Sequence, residues 1–102
     1  MKVAIAVTSS DEDARVDTHG AQAAFYLILN TDSRLSEILP NPMSQTERGA
    51  GPQAAAFLSS KGVNKVIAGD FGPKFRTELE GNNITCTEMT GAVSEIIARS
   101  SN

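Results

Sequence analysis

From Pro52 onward, helix and strand signals alternate with little room between them, and that constrains the fold more than any other feature of the chain. "PQAAAFLSSKG" (Pro52–Gly62) carries proline in a first helical turn, glycine just past the end, and Ala54, Ala55 and Leu58 on one face. "NKVIAG" (Asn64–Gly69) reads as a strand. "PKFRTELEG" (Pro73–Gly81) reads as a short helix with Phe75 and Leu79 one turn apart, and "NITCTE" (Asn83–Glu88) as a further strand. "MTGAVSEIIARSSN" closes the chain as a helix with Ala92, Val93, Ile96 and Ile97 on one side. Strands separated by helices pair in parallel through right-handed crossovers, so this half predicts a βαβ unit.

The first half lacks helical periodicity. "KVAIAVT" (Lys2–Thr8) is apolar at both parities, as expected of a central strand buried on two faces. "SSDEDARVDTHG" (Ser9–Gly20) is polar and acidic and reads as a loop. "AFYLILN" (Ala24–Asn30) and "RLSEILP" (Arg34–Pro40) read as a hairpin around the turn "NTDS" (Asn30–Ser33). The predicted order is β-β-β-α-β-α-β-α: one α/β domain over residues 1–102, with a mixed five-stranded sheet and helices packed on its faces. A chain of 102 residues suits a single core.

This connectivity predicts where loops meet. If the first strand ends at the top of the sheet, the His19 loop, the loop Asn41–Pro52, the turn Gly69–Pro73 and the turn Glu88–Gly91 all lie at that edge. Open α/β sheets bind ligands at the carboxyl ends of their parallel strands. Three of these loops enter helix N-termini, whose N–H groups suit anions, and Gly49, Gly51, Gly69, Gly72 and Gly91 permit close backbone approach.

Several function classes are disfavoured. The net charge is -3 and no basic stripe is present, which argues against nucleic-acid binding. The N-terminal apolar run is far shorter than the roughly 18 residues of a membrane span, and the lone Cys86 fits a reducing, cytoplasmic setting. A two-metal nuclease needs converging carboxylates, and only Asp70 stands at the end of the fourth strand. Neither a G-x-S-x-G elbow nor a phosphate-binding P-loop occurs. One thiol cannot supply the roughly four thiolates of a protein-ligated iron–sulfur cluster.

His19 is the first candidate metal ligand, because imidazole suits iron, copper and zinc; Asp17 stands two residues before it. Cys86 is a second candidate, or else a small apolar filler. The acidic run Asp11, Glu12, Asp13 and Asp17 reads as a solvated loop, and Met43 and Met89 as packing residues rather than copper ligands.

"KVAIAV", "VDTHG", the "GAG" before the first helix, "VIAGDFGP" and the glycine of "MTGAVSE" together resemble the dinitrogenase iron-molybdenum cofactor biosynthesis family, in the same order and over essentially the whole chain. Family members commonly read Val-Asp-x-His-Phe-Gly-Arg where this chain has Val16-Asp17-Thr18-His19-Gly20-Ala21-Gln22. The resemblance implies a ribonuclease H-like three-layer fold. It also implies a carrier role toward a metal–sulfur cluster or precursor containing iron, molybdenum or both, held only transiently. The site would comprise His19, Gly49, Gly51, Gly69, Phe71, Gly72 and Gly91, with His19 and Cys86 as metal ligands, and a cluster donor or client protein as partner. The expected function is therefore a small cytoplasmic binding protein, not an enzyme, with no nucleic-acid or membrane partner. Two other readings stay open: a metal-free interaction or regulatory module, and a small hydrolase pairing His19 with Cys86.

Overall fold

A computed structural model, describing residues 1–46 and 49–100, places the doubly apolar run Lys2–Val7 (β1) at the centre of a five-stranded sheet. The remaining elements are β2 (Phe25–Asn30), β3 (Ser36–Pro40), α1 (Ala50–Ser60), β4 (Lys65–Ala68), α2 (Pro73–Gly81), β5 (Thr85–Glu88) and α3 (Val93–Ser100). The strand order is β3-β2-β1-β4-β5. β1 pairs antiparallel with β2 (Ile5 opposite Leu27) and parallel with β4 (Ile5 opposite Ile67), while β2–β3 is antiparallel and β4–β5 parallel. The expected α/β class, element order and mixed sheet are all present.

The period-two alternation of the strands divides the core into two layers. Ala4, Ala6, Tyr26, Ile28, Val66 and Ala68 face α1 and α2, where Ala54, Ala55, Leu58, Phe75 and Leu79 meet them. Val3, Ile5, Val7, Leu27 and Ile67 face the opposite way and pack on Val93 and Ile96 of α3. Among the described residues, one face of the sheet thus carries two helices and the other carries one. No helix among the described residues is long and apolar enough to cross a membrane.

Element ends differ from expectation for identifiable reasons. The strand expected from Arg34 begins at Ser36, because Arg34 adopts a left-handed φ of 61° and its N–H closes the turn onto the Asn30 carbonyl at 2.8 Å. The strand expected from Asn83 begins at Thr85: Asn83, at φ 60°, and Ile84 donate to the carbonyls of Glu80 and Leu79, capping α2. The first helix starts two residues earlier than expected, at Ala50, and its Gly62 (φ 75°) closes the equivalent cap with N–H···O to Ser59. Positions 47 and 48 of the expected Asn41–Pro52 loop, and positions 101 and 102 of the expected last helix, lie outside the described residues.

The largest departure is in the segment expected to be a loop from Ser9 to Gly20. Its second half is extended and enters the sheet edge. Val16 bridges Val7 antiparallel, and the Asp17 N–H donates to the Ala6 carbonyl at 2.8 Å. The Asp17 and Thr18 carbonyls accept from the N–H groups of Gly69 and Asp70 at 2.9 and 2.8 Å. Residues 16–20 are therefore wedged between the carboxyl ends of β1 and β4.

Candidate functional site

The wedge sets the position of His19. His19 bridges Asp70 in parallel register, and the Gly20 N–H donates to the Asp70 carbonyl at 3.0 Å. The Asp17 carboxylate accepts from the His19 backbone N–H at 2.9 Å and lies 3.8 Å from ring Nδ1. The second distance is too long for a hydrogen bond, so Asp17 fixes the turn rather than the ring. The His19 side chain is 75% exposed. Glycine is required where the wedge meets β4: a Cβ on Gly69 would lie 2.9 Å from the Thr18 Cα.

Beside this wedge, the first turns of α1 and α2 lie against each other. A Cβ on Gly51 would come within 3.0 Å of the Phe75 backbone nitrogen, so only glycine allows this approach. Gly49 (φ 73°) and Gly72 (φ 70°) are the N-caps; among the described residues, neither start has a side-chain cap or an acidic residue in its first turn. Two positive helix ends are thus brought side by side. They border a cleft of about 650 Å³ lined by Ala21, Gln22, Gly49, Gly51, Phe71, Gly72 and Lys74, among others. Among the described lining residues, Lys74 carries the only formal charge.

The floor of the cleft is apolar. Phe71 is buried and stacks on Phe75 with ring centroids 5.7 Å apart, and the Arg76 guanidinium sits 5.1 Å from the Phe71 ring centroid. Gln22 lines both this cleft and a smaller depression that it shares with Asp17, His19, Ser44, Gln45 and Thr46. Its Nε2 donates to the Thr46 carbonyl at 2.5 Å. Glycine-lined helix starts, one lysine and a neighbouring imidazole form a surface suited to an anion.

The whole span 1–102 matches the family described as dinitrogenase iron-molybdenum cofactor. The chain belongs to that family. Among solved structures it is similar to a Thermotoga protein named for NifB and placed in the DUF35 family: identity is 29% and TM-score 0.83, over 98% of this chain and 86% of that one. The apo orange protein from Desulfovibrio gigas shares the fold at 24% identity, TM-score 0.88, over 96% and 84% of the two chains. So does a protein from Methanocaldococcus jannaschii described as a dinitrogenase, at 14% identity, TM-score 0.68, over 99% and 85%. A comparison with curated proteins gave no significant match.

For a member of the dinitrogenase iron-molybdenum cofactor family, position 20 has a local physical explanation. A side chain there would meet the Asp70 carbonyl and the Phe75 ring edge at 3.0 Å and the Ala68 Cβ at 3.1 Å. The ring of Phe75 already occupies the space, and glycine accommodates it.

The fold does not bring every candidate together. Gly49, Gly51, Phe71 and Gly72 line the cleft, and Gly69 holds the His19 segment. Gly91 (φ 116°) turns the chain toward the opposite face, where its carbonyl accepts from Val16 and α3 begins with Glu95 in its first turn. Cys86 pairs with Val66, four residues before Asp70 on β4, so about 13 Å of strand rise separates its level from that of His19. The two expected metal ligands, His19 and Cys86, therefore stand at different levels of the sheet. Met43 packs on the α1–α2 layer and Met89 on the α3 layer. Among the described residues, no group of three His, Cys, Asp or Glu side chains could hold a metal ion.

Two lining residues escape a reading of the sequence. Gln22 is marked by the motif alone, where it stands at the position of the family's arginine. Lys74 carries a local signal: a lysine in the first turn opposes the helix dipole, so it is unfavourable for the helix itself.

Proposed function

We propose that this protein is a carrier rather than an enzyme. It takes up a preassembled anionic metal–sulfur cluster or precursor, containing iron, molybdenum or both, for transfer to a client. The cargo sits in the cleft between the α1 and α2 starts, with His19 as ligand or anchor from the adjoining depression. A bare ion would need a cage of side-chain donors, whereas a cluster that brings its own sulfides needs hydrogen-bond donors, positive potential and room.

The observation that carries this reading is the close approach, through Gly51 and beside Lys74, of two helix starts that have no side-chain cap among the described residues. Bringing two positive dipole ends together is unfavourable until an anion lies between them. The family membership supports the same cargo class.

Anaerobic incubation with tetrathiomolybdate, or with ferrous iron and sulfide, followed by gel filtration, tests it. The expected result is visible absorbance that travels with the protein and weakens with added salt. His19→Ala should lose most of the bound colour, and Lys74→Gln should weaken binding roughly two- to fivefold, as expected for one exposed charge facing an anion. Far-UV circular dichroism establishes that both variants fold. A colourless wild type, or two folded variants that bind as well as wild type, would overturn the proposal.

A further inference from the structure

The face of the sheet opposite the cleft is incompletely covered. α3 packs over β1 and β4 and reaches β2, in one cluster with Val3, Ile5, Val7, Leu27 and Ile67. Over β3 the same face carries no helix among the described residues. Leu27 and Ile38 are cross-strand partners there, and Ile38 is 40% exposed on the edge strand. Between α3 and β3 runs a groove of about 280 Å³, floored by Val7 and Leu27 and walled by Ile38 and Ile97. Among the described residues, its charged lining consists of Asp11 and Glu12 alone.

We propose that this groove docks a basic amphipathic helix of a partner protein. One or two apolar side chains of the helix rest on Val7, Leu27, Ile38 and Ile97, and its lysines or arginines face Asp11 and Glu12. The volume lies below the roughly 300–1,000 Å³ of a small-molecule site, but it suits an anchor side chain presented by a helix. Charge selects the occupant. A second copy of this chain would set one Asp11–Glu12 rim against another, and like-charge juxtaposition across an interface is costly. A basic segment meets the same rim favourably. The groove and the cleft lie on opposite faces, so partner and anion occupy the molecule independently, and this proposal stands apart from the identity of the cargo.

The probe is a synthetic helical peptide of leucine and lysine, roughly four turns long, titrated into ¹⁵N-labelled protein at low salt. The expected result is saturable amide shifts at Val7, Leu27, Ile38 and Ile97 together with Asp11 and Glu12. The combined Asp11→Asn, Glu12→Gln variant should bind roughly three- to tenfold more weakly, and Ile38→Thr roughly fivefold more weakly. Ile38 is partly exposed on an edge strand and threonine is a good strand former, so that variant should fold. A peptide with glutamate in place of lysine should not bind. Shifts confined to the acidic loop and unchanged when the peptide leucines become alanine would reduce the effect to charge adhesion and overturn the proposal. Shifts at the helix-start cleft instead would do the same. A concentration-dependent dimer in sedimentation, broken by Ile38→Thr, would assign the groove to a second copy and overturn it as well.

Discussion

The Tyr26 hydroxyl donates a 2.5 Å hydrogen bond to the carbonyl of Gly20, the residue that follows His19. Tyr26 is the second residue of β2 and is fully buried, so the bond ties the end of the wedge to the sheet. Asn41 completes the attachment. Its Nδ2 donates to the carbonyls of Ala21 and Ala23 at 2.9 Å, and its Oδ1 accepts from the Met43 N–H at 2.9 Å. The loops carrying His19 and Ser44–Thr46 are thereby held by one buried, satisfied network.

Tyr26→Phe should lower stability at neutral pH by about 1–2 kcal/mol, because it leaves the Gly20 carbonyl without its buried donor. The pH dependence gives a second signature. Burial, and secondarily the charge of Asp17, raises the Tyr26 phenol above its ordinary value of about 10. Above that pH the unfolded chain releases the phenolic proton while the folded chain keeps it. Stability from this group is therefore complete below pH 10 and declines as pH rises, by up to about 1.4 kcal/mol per unit. Urea titrations of both proteins from pH 8 upward should show the difference between them shrinking above about pH 10.

Gly69→Ala and Gly72→Ala should fail in different ways. At Gly69 the added methyl meets the Thr18 backbone at 2.9 Å, which forces the wedge away from β4. At Gly72 no atom lies within 4 Å, and the cost is the backbone conformation itself, φ 70° and ψ 156°, a region nearly confined to glycine. Amide exchange separates the two. Gly69→Ala should lose protection at Gly20, Gly69 and Asp70, the donors that hold the wedge, whereas Gly72→Ala should retain it while lowering stability by about 1–3 kcal/mol.

These positions also show what a sequence can disclose. The helix starts at Pro73 and near Pro52, the doubly apolar β1 and the meander all follow from local patterns, because propensity, periodicity and caps agree there. The convergence of Gly49, Gly51, Phe71 and Gly72 follows from connectivity. The wedge does not, since its bonds join Asp17 and Thr18 to Ala6, Gly69 and Asp70 across long stretches of chain, and the acidic Ser9–Asp13 run before it masks its extended character. The level of Cys86 depends on strand register, which nothing within "NITCTE" specifies.

Asn83→Gly should stabilise the protein by about 0.5–1 kcal/mol. Asn83 holds φ 60° at the end of α2, a conformation that asparagine tolerates and glycine adopts without a Cβ penalty. At the matching position after α1 the chain already has glycine, Gly62 at φ 75°, and Gly62→Ala should destabilise by about 1 kcal/mol. Thermal melts of both variants, with opposite shifts in Tm, check the pair.

Cys86 should behave as a structural thiol independent of His19. Burial raises it above the ordinary thiol value; Arg76 opposes that rise and Glu80 adds to it. A raised thiol holds less thiolate at pH 8, so alkylation by iodoacetamide should be slower than that of an unstructured cysteine peptide, with its pH midpoint displaced upward. Arg76→Gln removes the opposing charge and should slow the reaction further. His19→Ala should leave the rate unchanged, because the two residues lie at different levels of the sheet. A His19→Ala effect larger than about twofold, outside the range of rotamer-level disturbance, would place the imidazole in contact with the thiol and restore the hydrolase pairing that this geometry disfavours.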